Sequence, residues 1–310
     1  ILLCLIGISV FLVVFFFFFE NVPNNSLRAI PVDAALVVQI HNISEASEYF
    51  SAKNNVWNSV SRLQILKNGC EFLTKIDSVA TTNDAFSVLN NNELLFAVKQ
   101  IGKNKLDFVF LMPLENKQDE AVVKPFIEDA FTVNNPTSYV FNKTTVFSYV
   151  DNSSDRKNLS YAVCQNTLII SESKVSVESA IKGLTEDKNL ENDADFQKVR
   201  PNASKVPIRV FFHYDRMASI FELFASEEYK SRVQKFPKIG GWTELDLSLD
   251  SESLRFNGYL TTDSEFVQAE YMNLFNGQKA IKGEVFSVIP SSATNFIAVN
   301  VSDKEKFRQN

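Results

Sequence analysis

The sequence predicts an α+β fold: a mainly antiparallel sheet with helices packed on one face, carried behind an N-terminal transmembrane helix. Three observations predict it. Residues 1–19, ILLCLIGISVFLVVFFFFF, contain no charge. At about 1.5 Å per residue they reach roughly 28 Å, close to a bilayer core. Later stretches alternate, above all WTELDLSLD (242–250), which places Leu245, Leu247 and Leu249 inward and Asp246, Ser248 and Asp250 outward. One buried face and one wet face is how an antiparallel sheet reads. Between the alternating stretches lie runs with helical spacing, such as Met217, Ile220, Phe221 and Phe224.

The elements follow in order. The apolar run ends in five Phe residues, then Glu20, Asn21, Val22 and Pro23. No small-residue cleavage site follows, so it reads as an uncleaved anchor and not a signal peptide. Cys4 does not read as a lipid site, because Leu3 precedes it and the apolar run lies after it. The chain starts at Ile1 with no basic flank, so it reads as a window on a longer chain. Residues 20–27 are a polar spacer. AALVVQI (34–40) reads as a buried strand, with Asn42 or Ser44 as helix cap after it. VWNSVSRLQIL and CEFLTKIDSV are helical by spacing. ELLFAVKQ and KLDFVFLM form a hairpin around IGKN, with Leu106, Phe108, Phe110 and Met112 on one face. AVVKPFIEDAF is a helix that Pro125 starts or kinks.

Two further hairpins turn at Asn142–Lys143 and Gln165–Asn166, and SKVSVESAIKGL is a helix capped by Ser173 or Ser176, with Gly183 near its end. VPIRVFFHYD is a strand and RMASIFELF a helix. WTELDLSLD and SLRFNGYLT are the clearest hairpin, and FVQAEYMNLF is the last long helix.

FSVIPSSATNFIAVNVSDKEKF (286–307) then restarts the opening LRAIPVDAALVVQIHNISEASEYF (27–50). Ile30–Pro31 and Ile289–Pro290 are 259 residues apart, and at that offset Ala34 meets Ala293, Val38 meets Ile297 and Ile40 meets Val299. VVQIHNISEASEYF and RVFFHYDRMASIFELF echo each other too, as strand, helix and later hairpin, with His41 and His213 at corresponding strand ends. The expectation is one ectodomain, residues 28–285, of two related strand–helix–hairpin halves, about 28–200 and 201–285. Residues 286–310 open a further, truncated copy.

Composition narrows the function. The net charge of −6 and pI near 5.2 argue against a nucleic-acid partner, which needs a cationic face. With 9 Gly there is no glycine-rich phosphate loop. Cys70 and Cys164 either pair in an oxidising compartment or are two small buried hydrophobes, the second reading being the better. Without a C-x-x-C pair, structural zinc is not expected.

The anchor, IPVDAALVVQI with Trp57 behind it, then NTLIISESKVSVESAI, NDADFQKV and GGWTELDLSLDSESLRFNGYL stand in that order. On these patterns the chain resembles a family of bacterial envelope proteins catalogued as domain of unknown function thirty-three fifty-two. The resemblance implies a membrane-anchored, extracytoplasmic α+β protein and carries over no catalytic residues.

No catalytic, cofactor or metal residues are assigned. His41 and His213 could form a metal pair or proton relay, but the other ligands zinc needs are missing. The alternative is a polar residue satisfying helix-start backbone groups. DKNLENDADFQK (187–198) spaces Asp187, Asn189 and Glu191 like a calcium loop, yet Asn192 stands where Gly is needed and Lys198 where a bidentate Glu is needed. It therefore reads as a solvated acidic linker before a short helix. Asp193 and Asp195 lie in the same polar stretch. No G-x-S-x-G elbow is present. Asn24, Asn42, Asn142, Asn152, Asn158, Asn202 and Asn300 head N-x-[ST] sequons, which would count in a eukaryotic secreted glycoprotein. The expected function is a non-enzymatic binding or scaffold protein, held to the lipid bilayer through residues 1–19, with an unknown protein or envelope partner. The alternative is an anchored hydrolase acting on envelope glycans or lipids, whose two carboxylates need only meet in space.

Overall fold

A computed structural model describes residues 26–41, 43, 46, 55–60, 92–103, 105–115, 117–130, 137–150, 158–200, 206–250, 253–262, 270–282, 285–293 and 296–310. The anchor segment 1–19, Cys4, Cys70, and the helix caps at Asn42 and Ser44 lie outside the described residues. Among the described residues no helix is long and apolar enough to cross a membrane.

The strands are β1 (Leu36–Ile40), β2 (Leu94–Ile101), β3 (Lys105–Pro113), β4 (Thr137–Phe141), β5 (Thr144–Val150), β6 (Asn158–Cys164), β7 (Thr167–Ser171), β8 (Ile208–His213), β9 (Trp242–Leu249) and β10 (Leu254–Leu260). They form one ten-stranded sheet in the order β10-β9-β8-β1-β2-β3-β7-β6-β5-β4. Every ladder is antiparallel. The helices are α1 (Asn55–Val60), α2 (Lys117–Ala130), α3 (Lys174–Glu186), α4 (Ala194–Val199), α5 (Tyr214–Phe224), α6 (Glu227–Val233), α7 (Glu270–Asn273) and α8 (Lys304–Gln309). Four 3-10 turns accompany them: η1 (Ser26–Ala29), η2 (Leu190–Asn192), η3 (Phe236–Lys238) and η4 (Val285–Val288).

The hairpin turns obey local chemistry. Asn142–Lys143 and Gln165–Asn166 all have positive φ, the double left-handed pair of a type I′ turn that matches strand twist. Gly102 takes φ 67 between β2 and β3. Pro125 does not start its helix: α2 begins at Lys117 and Pro125 sits inside it.

Helices pack on both faces of the sheet, and not on one as the sequence predicts. Residues Val37, Leu95, Ala97, Val109, Leu111 and Ile169 point to one face, where η1, α3, η2 and α4 bury them through Val177, Ile181, Leu190 and Phe196. On the other face Ile40, Leu94, Met112, Tyr161 and Leu168 pack under Val123, Phe126 and Ile127 of α2. There Phe96 stacks on Phe108 and tilts against Phe110, with ring centroids at 5.4 and 4.8 Å. Further along that face Met217 and Ile220 of α5 cover Leu36, Phe96, Val98 and Leu106. Phe221 and Phe224, expected on the same stripe, stay exposed. The alternation of β9 is also half overturned. Leu247 and Leu249 are buried and Ser248 is exposed, but Trp242, Thr243 and Glu244 are all buried. A strand that runs from the covered middle of a sheet to its open end meets two faces first and one later.

The two proposed halves share this one sheet. β1 pairs with β8 at its centre, with Val38 opposite Val210. Outward from that pair run Phe96 and Phe110 on one side, Leu245 and Gly258 on the other. Each side is strand, helix, then hairpin, so the ladders are consistent with an approximate twofold through the Val38–Val210 pair. The hairpins β4–β5 and β6–β7 extend only the β3 side.

Candidate functional site

The register of β1 against β8 places the histidines. The His41 N–H donates to the Pro207 carbonyl, and the His213 N–H to the Ala35 carbonyl, both at 2.9 Å. His213 therefore lies opposite residue 35, six residues along β1 from His41, which is about 20 Å at a strand's rise. Corresponding ends of two antiparallel neighbours are opposite ends of the sheet, so the pair cannot share a metal or a proton. Nor does His213 cap its helix: it stands at the N-cap of α5 with no side-chain cap bond. Its Nδ1 is buried with no hydrogen-bond partner, and its ring stands edge-on to Trp242 at 5.3 Å. Burial, then the charge of Arg216, holds His213 down at about 4. It is held neutral, half-buried against Trp242.

The calcium-loop segment leads into the short helix α4 and is solvated in part: Asp187, Lys188, Asn192 and Lys198 are exposed, while Asn189, Leu190 and Phe196 are buried. Asp187 takes the left-handed position that ends α3, with φ 56, and pairs with Arg28. Glu191 pairs with Arg200, and Lys198 with Asp195 at 2.8 Å. The Asp193 carboxylate accepts the N–H groups of Asp195 and Phe196 at 3.0 and 3.1 Å, capping α4. Asn189 and Leu190 are buried, Pro31 bridges to Asn189, and the Leu190 N–H donates to the Ile30 carbonyl at 3.1 Å. The segment clasps η1 to the end of α3. Each acid already has a cation or a helix start, and among the described residues no group of three or more His, Cys, Asp or Glu could hold a metal.

Two buried polar clusters, neither singled out by sequence, lie on the α3 face. The first gathers around Arg209. Its Nε–H donates to Asp246 Oδ1 at 2.9 Å, and the same nitrogen is 2.7 Å from Glu244 Oε1. Glu244 therefore has the guanidinium charge beside it, while neither of its oxygens has a hydrogen-bond partner. Burial pushes the Glu244 carboxyl up, Arg209 opposes this, and Asp246 adds to it. Opposite Arg209 on β1, Gln39 donates to Glu93 Oε2 at 2.8 Å, and Ser26 donates to Glu93 Oε1 at 2.8 Å. His41 Nδ1 lies 3.5 Å from Glu93.

The second cluster is built on Asp107. Ser171 donates to its two oxygens at 3.1 and 3.2 Å, and Ser176 of α3 donates to it as well. Lys99, beside Asp107 in the ladder, meets Asp33 at 2.9 Å. Ser148 and Ser160 continue the row at 3.2 Å.

Chemically these are braces. Ser171 and Ser176 both donate to the Asp107 carboxylate, which ties α3 to the sheet, and among the described residues neither imidazole stands beside them; the Lys99 ammonium meets Asp33. Glu244 has the raised carboxyl of a general acid, but with side-chain exposure of 2% it meets no substrate. Sequence could have found Asp107 only as a charge in an alternating strand, and alternation assigned it to solvent. Cys164 is a buried free thiol, accepting from Thr144 at 3.3 Å, and burial pushes it up. A cavity of about 420 Å³ lies far along the chain, lined by Ile281, Val299, Val301, Lys304, Phe307 and Arg308. Its charged lining groups are cations, not the paired acids of a glycosidase. In comparison with known proteins the chain matches no family model, no curated protein and no solved structure.

Proposed function

We propose that this is a membrane-anchored, extracytoplasmic binding or scaffold protein that does no chemistry. The observation that carries the reading is the uncharged run of residues 1–19, long enough for a bilayer core. The resemblance to the envelope family supports the extracytoplasmic side. The use of the buried acids and serines as braces supports recognition over turnover.

Fractionation tests it. The full chain should stay with membranes through high salt and alkaline carbonate and leave them only in detergent. Val10→Arg should release a large share of it, because a cation at the centre of a span costs about 2.5–3.5 kcal/mol. Release of the unaltered chain by salt alone refutes the anchor. Protease added to osmotically opened cells should cut the body, and protection there places it on the wrong side.

A further inference from the structure

Residues 285–293 repeat the backbone of residues 26–34. At the offset of 259, η1 falls on η4, each a four-residue 3-10 turn. Ile-Pro follows both. The Ala34 N–H donates to the Pro31 carbonyl at 3.0 Å, and the Ala293 N–H donates to the Pro290 carbonyl at 3.0 Å. Further on each chain turns helical. Residues 43 and 46 are helical after β1, and α8 begins where the Asp303 carboxylate accepts the Lys306 N–H at 3.0 Å.

The backbone is the same but the surroundings are reversed. Ala29 is fully buried, while Val288, at the offset, is 75% exposed. β1 is paired on both sides, by β2 and β8, and covered on both faces. Residues 296–299, its counterpart, belong to no strand of the sheet. Ile297, which corresponds to Val38 at the centre of the twofold, is 89% exposed. Val299, which corresponds to Ile40, is 53% exposed, and Ile40 is 5%. Ile40 packs against Leu94 and Met112 of β2 and β3. Val299 instead borders the 420 Å³ cavity, with Phe307 of α8 across it. Two β-branched side chains at strand spacing do not stay in water when partner strands are available.

We propose that residues 285–310 open a second copy of this fold, in which 296–299 is a central strand. Its partners are antiparallel neighbours of the β2 and β8 kind, carried further along the same polypeptide, and the cavity beside Val299 is the place of that copy's core. The partner strands must bring apolar side chains opposite Ile297, as Phe96 and Val210 do opposite Val38. The inference stands whether or not the chain is anchored.

Amide hydrogen exchange tests it, measured on the 310-residue chain and on the protein made from its complete reading frame. In the shorter chain residues 296–299 should exchange close to the unprotected rate while β1 is strongly protected. In the longer protein they should slow by about a thousandfold or more, as sheet-centre amides do. Ile297→Asp should abolish that slowing and leave β1 unchanged. The proposal is overturned by rapid exchange in both proteins, by protection already present in the shorter chain, by protection that survives Ile297→Asp, or by a reading frame that encodes no second copy.

Discussion

Single residues in this chain carry their weight through burial. His213 is the clearest, neutral in the fold with its pKa near 4 against an ordinary value of 6.5. The unfolded chain takes up that proton first as pH falls. Stability from this group is therefore whole above about pH 6.5 and is lost as pH drops toward 4. Arg216 strengthens the effect, and Asp215, Asp193 and Asp195 weaken it. Glu244 has the opposite sign, because a raised carboxyl costs stability as pH climbs through its folded value. The two must be separated by substitution. Urea melts of His213→Leu and the parent chain at pH 7 and pH 4.5 should show a flatter pH dependence in the variant. Equal slopes would mean the imidazole is not protected from protons.

At the scale of elements, α3 shows how a helix is placed by what lies under it. Val177, Ala180, Ile181 and Leu184 face the sheet, a spacing visible in the sequence. Ser176 is on that face as well, tied to Asp107, and Gly183 has its own reason. A Cβ there would stand 2.6 Å from the Arg28 carbonyl oxygen, where the chain of η1 crosses the helix. In an isolated helix Gly→Ala gains about 1 kcal/mol. Here the crossing must open, at a typical overpacking cost of about 1–3 kcal/mol. Gly183→Ala should therefore lower the melting temperature, whereas an unchanged or higher value would place η1 elsewhere.

At the scale of the whole molecule, the central seam is β1 against β8. It joins residues that are far apart in the chain and lies between the two sets of strand, helix and hairpin. With no gap in the sheet there is no boundary along which the halves could open. Residues 28–262 should unfold in one cooperative step, with fluorescence of Trp57 and Trp242 and far-ultraviolet dichroism giving coincident curves. Two separated transitions would argue for independent halves. Neither 28–200 nor 201–285 should fold alone, since each would expose its side of the seam.

Local chemistry made much of this legible beforehand. Turns at Asn142–Lys143 and Gln165–Asn166 and the pairing of β2 with β3 depend on residues close in the chain, so periodicity and turn propensity reveal them. The covering of both faces was not legible. Asp107, Lys99, Arg209 and Glu244 alternate with apolar residues and look like solvent-facing charges. Only the crossing of η1, η2, α3 and α4 over that face buries them, and then they must find one another. By itself the sequence determined the antiparallel hairpins and the tight turns that join them, because backbone geometry and side-chain period are local properties. Which face is dry, which charges are paired, and that corresponding histidines sit at opposite ends of a shared sheet were decided by tertiary structure alone. Burial is a property of what lies across from a residue, and that partner can come from anywhere in the chain.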